Sequence, residues 1–234
     1  YYNFIKDRSP LSIDPVIIDP DFIYVEAQAL VRYNAALTTL QINDISTAVK
    51  SAISSYNSTS LSGFKKTLRY SQLLAAATAA DKSIISIDLY TIPYKKLTPV
   101  AGQLYSDIID FGFEISTNYV ISYDDYIQAD VKAVYSFNFL YDGRLCNIQD
   151  DRNGKIGIYT ATGIDKNTLL INIGTVNYTT GQIIITNLQV ESLVGQQHIH
   201  LYVTPKEKDI ASTKNYILTI PDDDIDVEVE ALKL

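Results

Sequence analysis

The sequence contains no methionine and no tryptophan, and it has one cysteine and two histidines among 234 residues. The single cysteine, Cys146, excludes an internal disulfide framework and fits synthesis in a reducing compartment. Because a chain of this length usually contains several methionines, including one at its start, we expect these residues to be the later part of a longer protein. No apolar run approaches the roughly 20 residues of a membrane-spanning helix, and the first residues lack the pattern of a secretory signal.

Basic residues are also scarce, since 19 Lys and Arg stand against 27 Asp and Glu, for a net charge of −8 and a pI near 4.7. Phosphate binding requires clustered cations, and the pairs Lys65-Lys66 and Lys95-Lys96 are small and separate. The composition therefore argues against a nucleic-acid partner. The 18 tyrosines suit surfaces that become buried on assembly, although many fit ordinary strand positions.

Residues 22–92 read as a complete strand, helix, helix, strand unit. Residues Phe22 to Tyr33 alternate apolar and polar side chains, which is typical of a half-buried strand. Asn43 or Asp44 can cap the following helix, and its apolar positions recur at spacings of three and four. Those positions are Ile45, Ala48, Val49, Ala52, Ile53 and Tyr56.

The unit continues with a second helical turn around Leu61 and Phe64. Ser71 is then the predicted cap of a helix over residues 72–80, which are rich in Leu and Ala. The strand predicted over residues 84–92 places Ile85, Ile87 and Leu89 on one face. Two strands covered by two helices form a layer that can bury one apolar face.

The prolines and glycine of residues 93–103 mark a domain boundary, and the later residues predict strands. The turn dipeptides Asp142-Gly143, Asn153-Gly154 and Thr180-Gly181 each lie between short apolar runs and supply positive φ angles for hairpins. We therefore predict an α+β fold, with a small strand-helix-helix-strand layer followed by an antiparallel β sandwich or open barrel. The predicted divisions are a connector over 1–21, an α/β layer over 22–100 and a β domain over 101–234.

The predicted strands of the β domain end in a segment that alternates apolar and acidic residues. Its strands are expected near residues 137–141, 144–149, 155–159, 168–173, 182–190, 198–204, 216–220 and 225–230, with one or two more between 105 and 134. Acidic side chains on an edge strand oppose unwanted strand pairing unless a partner covers them. The candidate interface residues are Ile225, Asp226, Val227, Glu228, Val229 and Glu230.

Three clusters could carry chemistry, and each has a simpler structural interpretation. Residues 150–154 resemble part of a calcium loop, but the required first and twelfth ligands are missing, so a hairpin turn is favoured. Residues Asp222 to Asp224 favour a solvated turn. His198 and His200 lie on one strand face with Tyr202, and a zinc site would need further ligands. We predict no catalytic residue, no cofactor and no metal.

Four stretches, in this order along the chain, resemble the baseplate wedge protein of contractile-tailed bacteriophages. They are residues 19–25 (DPDFIYV), 69–73 (RYSQL), 173–187 (IGTVNYTTGQIIITN) and 209–218 (DIASTKNYIL). The match is to the C-terminal portion of that ring-forming subunit. Residues 105–134 and the small side chains of 75–80 depart from the family pattern.

The resemblance implies a structural virion protein that is made in the host cytoplasm and located in the tail baseplate. Its implied partners are other copies of itself, in a dimer within a ring, and other wedge and hub proteins. The implied ring changes shape when the sheath contracts. An alternative is a carbohydrate- or receptor-binding β module of a tail fibre or secreted protein that uses outward Tyr, Asn and Asp side chains. A hydrolase with an unrecognised carboxylate pair would instead require a deep pocket between the two regions.

Overall fold

The computed structural model describes residues 20–117, 132–211 and 216–232. Its helices are α1 (Ile42–Tyr56) and α2 (Tyr70–Thr78). The strands before the predicted boundary are β1 (Phe22–Asn34), β2 (Thr67–Leu68) and β3 (Ile84–Leu97). The later strands are β4 (Leu104–Asp110), β5 (Val134–Ser136), β6 (Phe139–Tyr141), β7 (Arg144–Asp150), β8 (Lys155–Thr160), β9 (Leu169–Asn177), β10 (Gln182–Gln189), β11 (Ile199–Val203), β12 (Ile210–Ala211), β13 (Ile217–Thr219) and β14 (Ile225–Leu232).

The alternation of β1 is confirmed, because its odd-numbered side chains from Ile23 to Tyr33 are all buried. The two helices cover this face. From α1, the core receives Ile45, Val49, Ile53 and Tyr56, and α2 adds Leu73 and Ala77. Each fully buried aliphatic side chain contributes roughly 1.5–3 kcal/mol, so this stripe holds the helices on the sheet.

The predicted helix starts are wrong by two or three residues. The cap of α1 is Gln41, and Asp44 lies inside the first turn, where its carboxylate accepts a hydrogen bond from the Gln41 backbone N–H at 3.1 Å. The cap residue of α2 is Arg69, and the Asp209 carboxylate accepts the backbone N–H of Tyr70 at 2.9 Å. A side chain 139 positions away thus satisfies a free N–H group of α2.

The predicted inward face of β3 is correct for Ile87 and Leu89 but wrong for Ile85, which is 46% exposed. The pairing of β1 with β3 shifts between Arg32 and Tyr33, so Tyr33 lies opposite Ile84. This bulge inserts one residue, which reverses the side of the sheet that each neighbouring side chain faces. Ile84 is consequently the buried residue, at 9% exposed.

The predicted glycine turns are confirmed. Asp142 and Gly143 both have positive φ, at 51° and 67°, in the two-residue turn between β6 and β7. Gly154 lies between β7 and β8, and Gly181 lies between β9 and β10, with φ of 94° and 73°. These three hairpins join β6 to β7, β7 to β8 and β9 to β10 in antiparallel pairs.

The main sheet has the order β13-β1-β3-β11-β5-β7-β8-β9-β10-β4, with β14 also on β1 and β6 also on β7. A cavity of about 290 Å³ is lined both by the end of β3, at Lys95 to Leu97, and by β4, at Asp107 to Ile109. The sheet therefore curls until its last strand lies near β3, as an open barrel does. The α+β fold class is confirmed.

The last strand differs from its expected antiparallel pairing, because β14 lies parallel to β1, with Ala27 opposite Ile225 and Asn34 opposite Leu232. β13 also pairs in parallel with β1, at Phe22 to Tyr24. The end of the described chain thus completes the layer that the helices cover. The division at residue 100 stays a prediction, and strand pairing of β1 and β3 with β11, β13 and β14 crosses it.

Parts of several predictions lie outside the described residues. They are the connector up to residue 19, the second half of the 105–134 region and residues 212–215 of the last family motif. In the described ranges, neither helix is both long and apolar enough to span a membrane.

Candidate subunit interface

The alternating pattern of β14 produces one buried and one exposed row, as predicted. Ile225 and Val227 are 4% and 9% exposed, and the Ser46 hydroxyl of α1 donates a hydrogen bond to the Val227 carbonyl at 3.2 Å. Asp226, Glu228 and Glu230 are exposed. Among the described residues, β1 is the only strand that pairs with β14, so the other edge of β14 presents its backbone groups.

The acidic row has little compensating charge. Arg32 on β1 lies 2.6 Å from the Asp88 carboxylate and 3.7 Å from that of Glu230. Asp226 and Glu228 lie opposite the uncharged Gln28 and Leu30, and neither forms an ion pair with a described residue. Two uncompensated carboxylates on an open strand edge favour a cationic partner.

A second exposed feature lies on the same edge of the layer. Ile217 of β13 pairs with Phe22 on one side and with Phe64 on the other, so the Phe64 loop continues the sheet outward. Phe64 is 54% exposed, and Lys65 and Lys66 are exposed beside it. In the sequence, the two lysines indicate only a basic pair too small for phosphate binding. A phenylalanine within a serine-rich polar stretch was the signal that could have marked this loop.

Four tyrosines form a continuous row across four neighbouring strands on the sheet face opposite the helices. Tyr24, Tyr94, Tyr202 and Tyr135 lie directly opposite one another on β1, β3, β11 and β5. Their ring centroids are 5.2–5.3 Å apart from one tyrosine to the next. We call this set the tyrosine row. The family motif that ends at Val25 therefore contributes its first member.

The tyrosine row explains why the prediction of an outward Tyr202 is wrong. Tyr202 is 2% exposed and Tyr94 is 1% exposed, because neighbouring rings cover both. Burial is the main cause that raises the pKa of each hydroxyl well above its usual range, and a hydrogen bond to the Asp224 carboxylate adds to the effect at Tyr94. The rings stack on each other and leave little aromatic surface for a sugar.

His200 belongs to the same aromatic surface. Its ring lies 4.4 Å from that of Tyr94, in a stacked orientation. Burial and the neighbouring Lys96 lower the pKa of His200. Within the described ranges, no group of three His, Cys, Asp or Glu side chains is arranged to hold a metal ion.

The two acidic clusters singled out in the sequence lie at turns, as the simpler interpretation predicts, but Asp224 is half-buried and accepts a hydrogen bond from the Tyr94 hydroxyl. Asp150 is completely buried, and its carboxylate accepts hydrogen bonds from the Val134 and Arg152 backbone N–H groups and the Tyr178 hydroxyl. Asp222 to Asp224 form a 3-10 turn before β14. Cys146 is also fully buried, and burial raises the pKa of its thiol.

A broad groove of about 820 Å³ lies between the Asp110–Glu114 segment and the Pro205–Ala211 segment. Three of its carboxylates are engaged by neighbours, and two of these form ion pairs, Glu114 with Lys206 and Asp209 with Arg69 at 2.9 Å. Asp110 accepts the Gly112 backbone N–H at 2.8 Å. If the protein were a hydrolase, this groove would hold its active site, but the sequence indicates no general acid and base pair there.

The comparisons with known proteins agree with the motif evidence. Residues 21–90 match the family model described as baseplate structural protein gp6, C-terminal domain III. This range contains the motif at residues 69–73 and most of the motif at 19–25, whereas the motifs at 173–187 and 209–218 lie outside it. A search of curated proteins finds no match. Residues 21–90 are therefore similar to C-terminal domain III of the baseplate structural protein gp6.

Proposed function

We propose that this protein is a baseplate wedge subunit that dimerises with a copy in the neighbouring wedge and so helps to close the ring of a contractile phage tail. The match over residues 21–90 supports a structural role in a phage baseplate. The single observation that carries the finer proposal is the open, acidic edge of β14. That edge leaves backbone hydrogen-bonding groups and two uncompensated carboxylates available to another subunit.

The proposal includes other wedge and hub proteins as partners and the tail baseplate as location, after synthesis in the host cytoplasm. It assigns no catalytic role to any residue. Ring rearrangement on sheath contraction requires contacts with two stable arrangements. A contact between exposed charged strand edges can break and form again during this change, because it buries less apolar surface than the core of a domain does.

The test is charge reversal on β14 in the complete baseplate. Asp226→Lys with Glu228→Lys removes the acidic edge and leaves the Arg32–Glu230 pair in place. Asp165→Lys with Glu207→Lys is the matched control, because both residues are exposed and the change in net charge is identical. Baseplates assembled with each variant are counted by electron microscopy.

We expect the β14 variant to lose closed rings while the control assembles normally. Since like charges placed together at an interface cost several kcal/mol, the loss should exceed about tenfold. Normal ring closure with the β14 variant would remove β14 from the contact.

The carbohydrate-binding alternative depends on outward aromatic rings. The stacking within the tyrosine row does not favour it, because ring faces that stack on one another are not available to a sugar. Binding on a glycan array, lost in a Phe137→Ala variant of the 41% exposed Phe137, would instead support this alternative.

A further inference from the structure

One edge of the α/β layer carries an acidic and a basic feature at different positions along the strand direction. β13 and β14 both lie on the side of β1 that faces away from β3, at residues 22–24 and 27–34 of β1 respectively. Phe64 lies outside β13, and Lys65 and Lys66 follow it. The acidic row of β14 and the Phe64–Lys66 loop are therefore neighbours along one edge.

The two features are separated along the strand direction. Phe64 lies opposite Ile217, which lies opposite Phe22, and Glu228 lies opposite Leu30. Eight strand residues at about 3.3 Å each correspond to about 26 Å. A groove of about 490 Å³ lies between them, lined by Lys50 and Ser54 of α1, by Ser58 just after α1, and by Asp222 and Ile225 at the approach to β14.

Charge decides how two such edges can meet. If β14 paired directly with β14 of another copy, with the strand centres aligned, the two acidic rows would lie together. The repulsion between their like charges would destabilise that pairing. Lys65 and Lys66 have no ion-pair partner among the described residues, like Asp226 and Glu228. An antiparallel arrangement offset by the separation of the two features would bring each basic loop onto an acidic row.

We propose that two copies associate through this edge about a two-fold axis, with the Phe64–Lys66 loop of each copy against the Asp226 and Glu228 carboxylates of the other. The inference rests on the proposed function and names the second surface of that contact. A two-fold axis makes the contact self-complementary, since each feature then occurs twice and finds its opposite. Phe64 supplies an exposed aromatic anchor of the kind that dominates binding energy at many interfaces.

The size of the edge is sufficient for a specific contact. From residue 22 to residue 34, β1 spans about 40 Å, and one sheet with its helix layer is about 20 Å thick. The resulting area of about 800 Å² for each copy is that of a standard interface.

The test is a charge exchange in the full chain, followed by sedimentation velocity. The acid-reversed variant carries Asp226→Lys and Glu228→Lys, and the base-reversed variant carries Lys65→Glu and Lys66→Glu. We expect each alone to dimerise at least about tenfold more weakly than the wild type. An equimolar mixture should recover the dimer, because both contacts of the mixed pair are again complementary. Circular dichroism of each variant establishes that it is folded.

The Phe64→Ala variant adds a readout that does not depend on charge. It should weaken dimerisation and leave the salt dependence unchanged, whereas Ile164→Ala, a change at another exposed apolar side chain, should have no effect. A wild-type chain that stays monomeric at high concentration, or a mixture that does not recover the dimer, overturns the proposed two-fold contact.

The outcomes separate this inference from the proposed function. If charge reversal on β14 prevents ring closure but leaves self-association unchanged, β14 binds a different baseplate protein, and only the two-fold contact is wrong. If the β14 variant both dimerises and closes rings, the two-fold contact is wrong, and β14 is not the contact that closes the ring.

Discussion

Replacement of Asp150 tests how strongly a single buried carboxylate holds the second part of the chain together. Asp150 is 0% exposed, and its acceptor atoms lie 2.9 Å from the Val134 nitrogen, 3.0 Å from the Arg152 nitrogen and 2.7 Å from the Tyr178 hydroxyl. These partners belong to the start of β5, the β7–β8 turn and the residue after β9. The Asp150→Ala variant leaves all three donors without this acceptor.

The expected loss follows from the character of these hydrogen bonds. A hydrogen bond to a charged group contributes about 1.5–3 kcal/mol, and a donor left unsatisfied in the interior has a further cost. Relaxation and water entry reduce the sum, so we expect Asp150→Ala to lower the free energy of unfolding by about 3–5 kcal/mol. Tyr178→Phe removes the hydrogen bond to Asp150 and a longer one, at 3.4 Å, that the hydroxyl accepts from the Gly154 backbone N–H, and it should cost about 1.5 kcal/mol.

Urea denaturation measures these losses, with circular dichroism and tyrosine fluorescence as the signals, since the chain has no tryptophan. Asp151→Ala is the control, because this half-buried carboxylate accepts only local backbone N–H groups, those of Asn153 at 2.8 Å and Lys155 at 2.9 Å. It should cost about 1 kcal/mol or less. A double variant of Asp150 and Tyr178 should show coupling above about 0.5 kcal/mol. Equal losses for Asp150→Ala and Asp151→Ala would refute the reasoning.

Three further predictions concern the helices, the sheet and pH. Asp209→Ala should destabilise the protein by about 1 kcal/mol through loss of the N-terminal hydrogen bond of α2, whereas Arg69→Ala should cost about 0.5 kcal/mol or less, because the exposed ion pair contributes little. Thermal unfolding of the two variants measures both losses, and equal losses would contradict the capping role of Asp209. Gly174→Ala should cost about 3 kcal/mol, since a Cβ at this position would lie 1.9 Å from the Ile184 carbonyl oxygen, and urea midpoints measure it. Because burial lowers the pKa of His200, the unfolded chain binds a proton there at a higher pH than the folded chain does, so the free energy of unfolding should decline as pH drops through about 6.5. The His200→Phe variant should show a smaller decline, and an unchanged dependence of stability on pH would contradict the role of His200.

Local sequence was sufficient wherever a periodicity or a backbone angle decided the structure. The alternation from Ile23 to Tyr33 predicted β1 because side chains of a strand point alternately to its two faces. Asp142-Gly143 predicted its hairpin because glycine accepts positive φ at no steric cost. The acidic and apolar rows of β14 were equally visible, and so was the wedge-protein resemblance that the match over residues 21–90 supports.

Tertiary structure decided everything that depends on which distant segments meet. No local signal could show that Asp209 would complete the start of α2, or that a bulge opposite Arg32 would expose Ile85. Tyr202 looked like an outward strand residue, and it is buried because Tyr94 and Tyr135 arrive from other strands. The parallel pairing of β14 with β1 likewise placed the acidic row on the same edge as the Phe64 loop, since strand partners are selected by the packing of the whole sheet and not by the residues of one strand.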